Sequence, residues 1–131
     1  MEDLKEKARN YFVLGMIAKV LGMRSESAAN FFKSLFAVDD FVLYALIKDK
    51  PSNHNERFAM LKRNAPELYN ITDRLFSTYR RTYTQELSKE EIELVKNRIV
   101  DAFKNAKITT PTNEEIEGKL KEFAKKGKHF D

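Results

Sequence analysis

A chain of 131 residues, 42% hydrophobic and 34% charged, is long enough for one domain with a sizeable core. The absence of cysteine excludes a disulfide framework, a thiol nucleophile and any cysteine-ligated metal, and two histidines leave little for a histidine-rich centre. Lys and Arg number 24 against 20 Asp and Glu, a net charge of +4 that suits an anionic partner without requiring one.

The first residues, Met1 to Lys7, carry both signs of charge and are followed by no apolar run, so no signal peptide is expected. The most apolar stretch, Leu35 to Ile47, is interrupted by Asp39 and Asp40 and falls short of the roughly 20 apolar residues a bilayer span needs. The chain is read as cytoplasmic, with no membrane role, no metal and no cofactor.

Apolar residues recur at helical spacing from the start. Leu4, Ala8, Tyr11, Gly15, Ala18 and Leu21 form one stripe, widened by Phe12 and Leu14. Gly22 is placed to end this helix, and Ser25 to cap the next. The second helix runs to about Lys48 and is apolar almost all round, so it is expected at the centre of a bundle or against a partner. Pro51 ends it. Asn53 to Glu56 has capping-box spacing for a short third helix carrying Phe58 and Leu61 inward.

Pro66 suits the first turn of a fourth helix, whose stripe is Leu68, Ile71, Leu75, Tyr79 and Thr82 or Tyr83. Ser88-Lys89-Glu90-Glu91 is a capping box for a fifth, with Ile92, Val95, Ile99, Ala102, Phe103 and Ala106 inward. Thr109 to Asn113 reads as a linker. Glu114 to Phe123 then suits a short helix with Ile116, Leu120 and Phe123 inward, and the basic end, Lys125 to Asp131, is expected to fray. The expected fold is all-α, an antiparallel up-and-down bundle of four main helices plus one or two short ones. Residues 1–108 form the bundle, and 109–131 are linker, short helix and tail.

No glycine-rich phosphate loop is present. Two clusters carry candidate chemistry. On a helix, His54 and Arg57 share a face, and with the amides of a helix N-terminus they suit phosphate. The structural alternative is that Asn53 caps, His54 sits at the first turn and Arg57 pairs with a surface carboxylate. The second cluster is Tyr79-Arg80-Arg81-Thr82-Tyr83, with Arg74 on the face of Arg81. Guanidinium forks grip phosphate and tyrosine rings stack on unpaired bases, which suits RNA or a nucleotide. Here the structural alternative is that the arginines complement a helix C-terminus and the tyrosines complete the core.

Between residues 54 and 83, Arg57, Lys62, Arg63, Arg74, Arg80 and Arg81 outweigh Glu56, Glu67 and Asp73. If an anionic ligand binds, this half of the bundle is the expected place. Asp39 and Asp40 either face water or neutralise Arg80 or Arg81.

Over roughly residues 5–106 the chain resembles a HEPN domain, a helical family linked to prokaryotic nucleotidyltransferases and to RNases of defence and toxin–antitoxin systems. The resemblance lies in the Phe-rich second helix from Ala28-Ala29-Asn30-Phe31-Phe32, the Pro51-Ser52-Asn53-His54 corner, the Tyr79-to-Tyr83 segment, and the Ser88 start of a last helix ending Ala102-Phe103. Catalytic members carry an arginine followed a few residues later by a histidine. At those places after Arg80 and Arg81 stand Gln85, Glu86, Leu87 and Ser88. The resemblance is thus to the non-catalytic branch. It implies a homodimer, formed through the apolar excess of residues 31–47, and a possible nucleotidyltransferase partner.

The first functional expectation is a HEPN-like module binding RNA or a nucleotide through His54, Arg57, Tyr79, Arg80, Arg81 and Tyr83. The alternatives are a structural or dimerisation bundle with no nucleic-acid role, and a metal-independent RNase that recruits His54.

Overall fold

Small and apolar residues at helical spacing close the first hairpin. The computed structural model describes residues 2–127, and among them α1 (Glu2–Val20) and α2 (Arg24–Ile47) pack along their length. Ser34 Oγ donates to the Ala8 carbonyl at 2.7 Å, and Ser27 Oγ to that of Gly15 at 2.8 Å. Numbers fall on α2 as they rise on α1, so the pair is antiparallel. Both hydroxyls are buried and satisfied by carbonyls of the facing helix, which fixes the register as well as the distance.

Gly22 sits at φ +75° and ends α1, as its sequence position suggests. Ser25 does not cap α2. The amide of Met23 donates back to Ala18 at 2.8 Å, and the helix resumes at Arg24 with Met23 as its uncapped N-terminal residue. The glycine turn returns the chain to helix before Ser25 is reached.

After α2 come α3 (His54–Asn64), α4 (Pro66–Arg81), α5 (Lys89–Asn105) and α6 (Asn113–Gly127), with no strand among the described residues. Phe32 meets Tyr79 and Asp39 meets Thr72, so α4 runs antiparallel to α2. Arg81 pairs with Glu91, and Asn105 with Glu67, so α5 runs antiparallel to α4. Phe12 lies against Phe103, closing α1 onto α5. The described residues are all-α, and α1, α2, α4 and α5 share one core. Phe31, Phe32, Leu35, Leu61, Leu68, Ile92, Ile99 and Phe103 are fully buried in it. Each such side chain contributes about 1.5–3 kcal/mol.

The Ser88 capping box forms in both directions, and Pro66 occupies the first turn of α4. Asn53 caps α3 by accepting from the Glu56 amide at 2.8 Å, while Glu56 reaches the Ser52 amide rather than that of Asn53.

The expected apolar excess of residues 31–47 is absorbed by the core. Phe31, Phe32, Leu35, Val38 and Leu43 are buried between α1, α4 and α5, and only the C-terminal turn, with Leu46 and Ile47, is exposed. Apolar surface is left elsewhere: Leu14 of α1 and Leu21 in the turn after it, both expected inward, are exposed, and so are Leu120 and Phe123 of α6. The segment before α6 is pinned, because Arg9 donates through Nε to the Thr109 carbonyl and through Nη2 to Glu115, and Pro111 is buried. Lys125 and Lys126 belong to α6, and residues 128–131, including His129, lie outside the described residues. No helix among the described residues is long and apolar enough to cross a membrane.

Candidate functional site

The charged break in α2 and the start of α3 meet. Asp39 and Asp40 are neighbours on α2, so they point in different directions. Asp39 is fully buried and accepts from Thr72 Oγ1 at 3.0 Å to both carboxyl oxygens. Burial pushes its pKa well above the ordinary value, against the hydrogen bond from Thr72 and the attraction of Arg57. Asp40 turns toward α3 and pairs with Arg57 Nη2 at 3.2 Å. Its pKa is also raised, because burial outweighs the attraction of that guanidinium. Neither carboxyl meets Arg80 or Arg81, correcting the alternative that set them across the core. These arginines lie near the C-terminus of α4, whereas antiparallel packing sets Asp39 beside Thr72, two turns earlier.

Arg57 is itself 8% exposed. Its Nη1 lies 2.6 Å from His54 Nδ1, and its guanidinium lies 4.9 Å from the centre of the Phe36 ring. Arginine can only donate, so His54 Nδ1 accepts and Nε2 carries the imidazole proton. Burial lowers the pKa of His54, and Arg57 lowers it further against a smaller opposing effect of Asp40. Among the described residues, Arg57 Nε is buried without a hydrogen-bond partner.

Aromatic rings continue this cluster along α4. His54 stands among Phe36, Phe76 and Tyr79, with ring centres 4.6, 5.3 and 5.4 Å away. One turn beyond Tyr79 is Tyr83, and the two hydroxyls are 2.6 Å apart. The Tyr79 phenol is pushed up to about 12, first by burial and then by its bond with Tyr83, so it stays neutral. Tyr83 is 73% exposed although it falls on the predicted inward stripe, because α4 ends at Arg81 and the turn after it carries the ring outward.

A groove of about 320 Å3 opens beside these rings. Phe32, Lys33 and Phe36 of α2 line one wall, Tyr79, Thr82 and Tyr83 the other, and Ala28 and Ala29 leave room between them. Gln85 and Glu86 from the turn before α5 complete it, with Glu86 held by Arg24 at 2.9 Å. Arg80 lies over Phe76 at 5.6 Å and does not line the groove itself. Arg81 is turned the other way, to Glu91 on α5.

The structure therefore brings His54, Arg57, Tyr79 and Tyr83 into one continuous cluster, sets Arg80 at its edge across Phe76, and removes Arg81 from it. At the Asn53 corner the structural alternative holds in part: Asn53 caps and Arg57 meets a carboxylate, but that carboxylate is the half-buried Asp40 rather than a surface one. Of the basic surplus between residues 54 and 83, Lys62, Arg63, Arg74 and Arg80 are exposed and form no ion pair among the described residues. No group of three or more metal-ligating side chains converges among the described residues.

Sequence reasoning missed Thr72, Phe76 and the wall residues Phe32 and Lys33. It marked Asp40 as an anomaly but looked for its partner at Arg80 or Arg81 rather than at Arg57. Two carboxylates in an otherwise apolar helix are the signal that a buried polar contact must exist, but the partner lies on another element. The chain matches no protein-family model, no curated protein and no solved structure.

Proposed function

We propose that the chain is a HEPN-like helical module that binds single-stranded RNA or a nucleotide, without cleaving it, at the groove between the start of α2 and the end of α4. One observation carries the reading: the exposed Tyr83 ring beside a groove walled by Phe32, Phe36 and Tyr79, with Arg80, which forms no ion pair among the described residues, three positions earlier in the chain. A base stacks on Tyr83, Arg80 and Lys33 meet phosphate, and Gln85 offers an amide to a base edge. Arg57 and Arg81 are held by Asp40 and Glu91 and act as structural residues.

The non-catalytic form of the reading is supported by the state of His54. A general base needs a free lone pair on the imidazole, and the Nδ1 lone pair faces Arg57 while Nε2 carries the proton. A nucleotidyltransferase partner rests on the resemblance alone.

The test is fluorescence anisotropy with a labelled oligouridylate. Binding is expected to weaken as salt rises, to fall on the order of tenfold in Tyr83→Ala, and to lose about one unit of salt slope in Arg80→Ala. No binding at low salt, or equal binding by Tyr83→Ala, contradicts the reading.

A further inference from the structure

The surface where α4 and α5 meet is matched at both ends and mismatched in the middle. At one end Asn105 Nδ2 donates to Glu67 Oε2 at 2.7 Å, and at the other Arg81 pairs with Glu91. Arg74 stands midway between Glu67 and Arg81 on α4, and Arg98 midway between Glu91 and Asn105 on α5. Antiparallel helices in register at both ends are in register between them, so Arg74 and Arg98 oppose each other. Both line one recess of about 250 Å3, together with Glu67, Asn70 and Ile71.

Two guanidiniums set across a helix pair repel where opposite charges would attract. Neither is compensated across this surface. Arg98 meets only Asp101 of its own helix, at 3.5 Å between exposed side chains. Arg74 forms no ion pair among the described residues. Glu67 also lines the recess, but it is engaged by Asn105 and sits two helical turns, about 10 Å along α4, from Arg74. Each guanidinium carries five N–H donors and no acceptor, and these two leave most of theirs free. Asn70, one turn before Arg74, adds a side-chain amide to the same recess. A phosphate group matches this set. Its double negative charge balances two cations, and its tetrahedral oxygens can meet forks that approach from two helices.

We infer that the α4–α5 recess binds a dianionic phosphate group between Arg74 and Arg98, with the Asn70 amide as a further donor. The recess lies on the α5 side of α4 and the aromatic groove on its α2 side, so the site stands whether or not RNA binds there.

Nitrogen-15 NMR of the arginine Nε–H groups tests it, on the full chain at constant ionic strength and mildly alkaline pH. Inorganic phosphate and glycerol 3-phosphate are titrated separately against chloride. Saturable shifts are expected at Arg74 and Arg98, and the tighter of the two ligands tells whether the site takes the free ion or an organic phosphomonoester. Arg74→Gln and Arg98→Gln should each weaken binding on the order of tenfold, the cost of losing hydrogen bonds to a charged group. Arg63→Gln removes the same charge from an exposed site on α3 and should leave the affinity unchanged. In chloride alone, Arg74→Glu should raise the urea midpoint, because a pair of opposite charges then replaces the repulsion, and it should abolish phosphate binding. Shifts that never saturate with either ligand overturn the proposal. So does an equal loss in Arg63→Gln, which would mark a diffuse charge effect, or a lowered midpoint in Arg74→Glu, which would show that the two arginines do not oppose each other.

Discussion

Arg57 Nη1 donates to His54 Nδ1 at 2.6 Å, while Nη2 of the same guanidinium holds Asp40 at 3.2 Å. The second helix and the start of the third are thus tied by one side chain, which in turn lies over Phe36. The tie requires a neutral imidazole, because protonation at Nδ1 would set two cations face to face.

A first prediction follows for acid. Burial and Arg57 hold the His54 pKa below its ordinary 6.5. Between that lowered value and 6.5 the unfolded chain binds a proton and the folded chain does not. The His54 contribution to stability is therefore complete above 6.5 and is lost as pH falls through this window. NMR titration of the imidazole, assigned by its loss in His54→Gln, should give a value below 6.5 and an Nε2–H tautomer.

Asp39 titrates with the opposite sign. Its pKa is raised well above 3.8, so the folded chain keeps a proton that the unfolded chain has released. That contribution is full below 3.8 and is lost as pH rises through the raised folded value. Asparagine at this position can still accept from Thr72 and has no charge to bury. Asp39→Asn should be more stable than the wild type at neutral pH, with a flatter pH profile, read from urea midpoints. The slope that remains comes from Asp40, which shifts the same way, and from His54 and the ion-paired Glu91, Glu93 and Glu115, whose lowered pKa values oppose it.

Removing Arg57 leaves Asp40 partly buried without its partner. Arg57→Ala should cost about 3 kcal/mol in urea unfolding. Replacing both, as Asp40→Leu with Arg57→Met, should recover most of the loss, because no uncompensated charge remains. A double variant no better than Arg57→Ala would mean that the guanidinium acts by packing on Phe36 rather than by charge.

Gly15 of α1 packs directly against the Phe31 ring of α2. A Cβ there would lie 2.7 Å from the Phe31 ring, which is fully buried and has little room to turn. Alanine in a helix interior normally gains about 1 kcal/mol over glycine, whereas overpacking costs about 1–3 kcal/mol. Gly15→Ala should therefore lower the thermal midpoint, and a raised midpoint would show that Phe31 yields.

Local chemistry made much of the fold legible. Ser88 with Glu91, Pro66, Gly22 and the Ile92–Val95–Ile99 stripe each act within a few residues of sequence, and each forms as the sequence suggests. The pairing of His54 with Arg57 was legible for the same reason, since three residues on a helix make neighbours. What periodicity does not carry is the identity of the facing element. It places Leu120 and Phe123 on one face of α6 but not what that face meets, and α6 diverges from α1 there. It marks Asp39 and Asp40 as anomalies, but their partners Thr72 and Arg57 depend on how α2 packs against α4 and α3. For the same reason Arg81 finds Glu91 across the α4–α5 turn rather than joining the aromatic cluster.

The most direct test of the proposed function is a nitrogen-15 NMR titration of the full chain with a short single-stranded oligonucleotide. The account predicts that amide shifts concentrate at Phe32, Lys33, Phe36 and Tyr79 to Gln85, and that the oligonucleotide is recovered uncut. Shifts confined to other faces, an unchanged spectrum at low salt, or cleavage of the strand that vanishes in His54→Ala would contradict it.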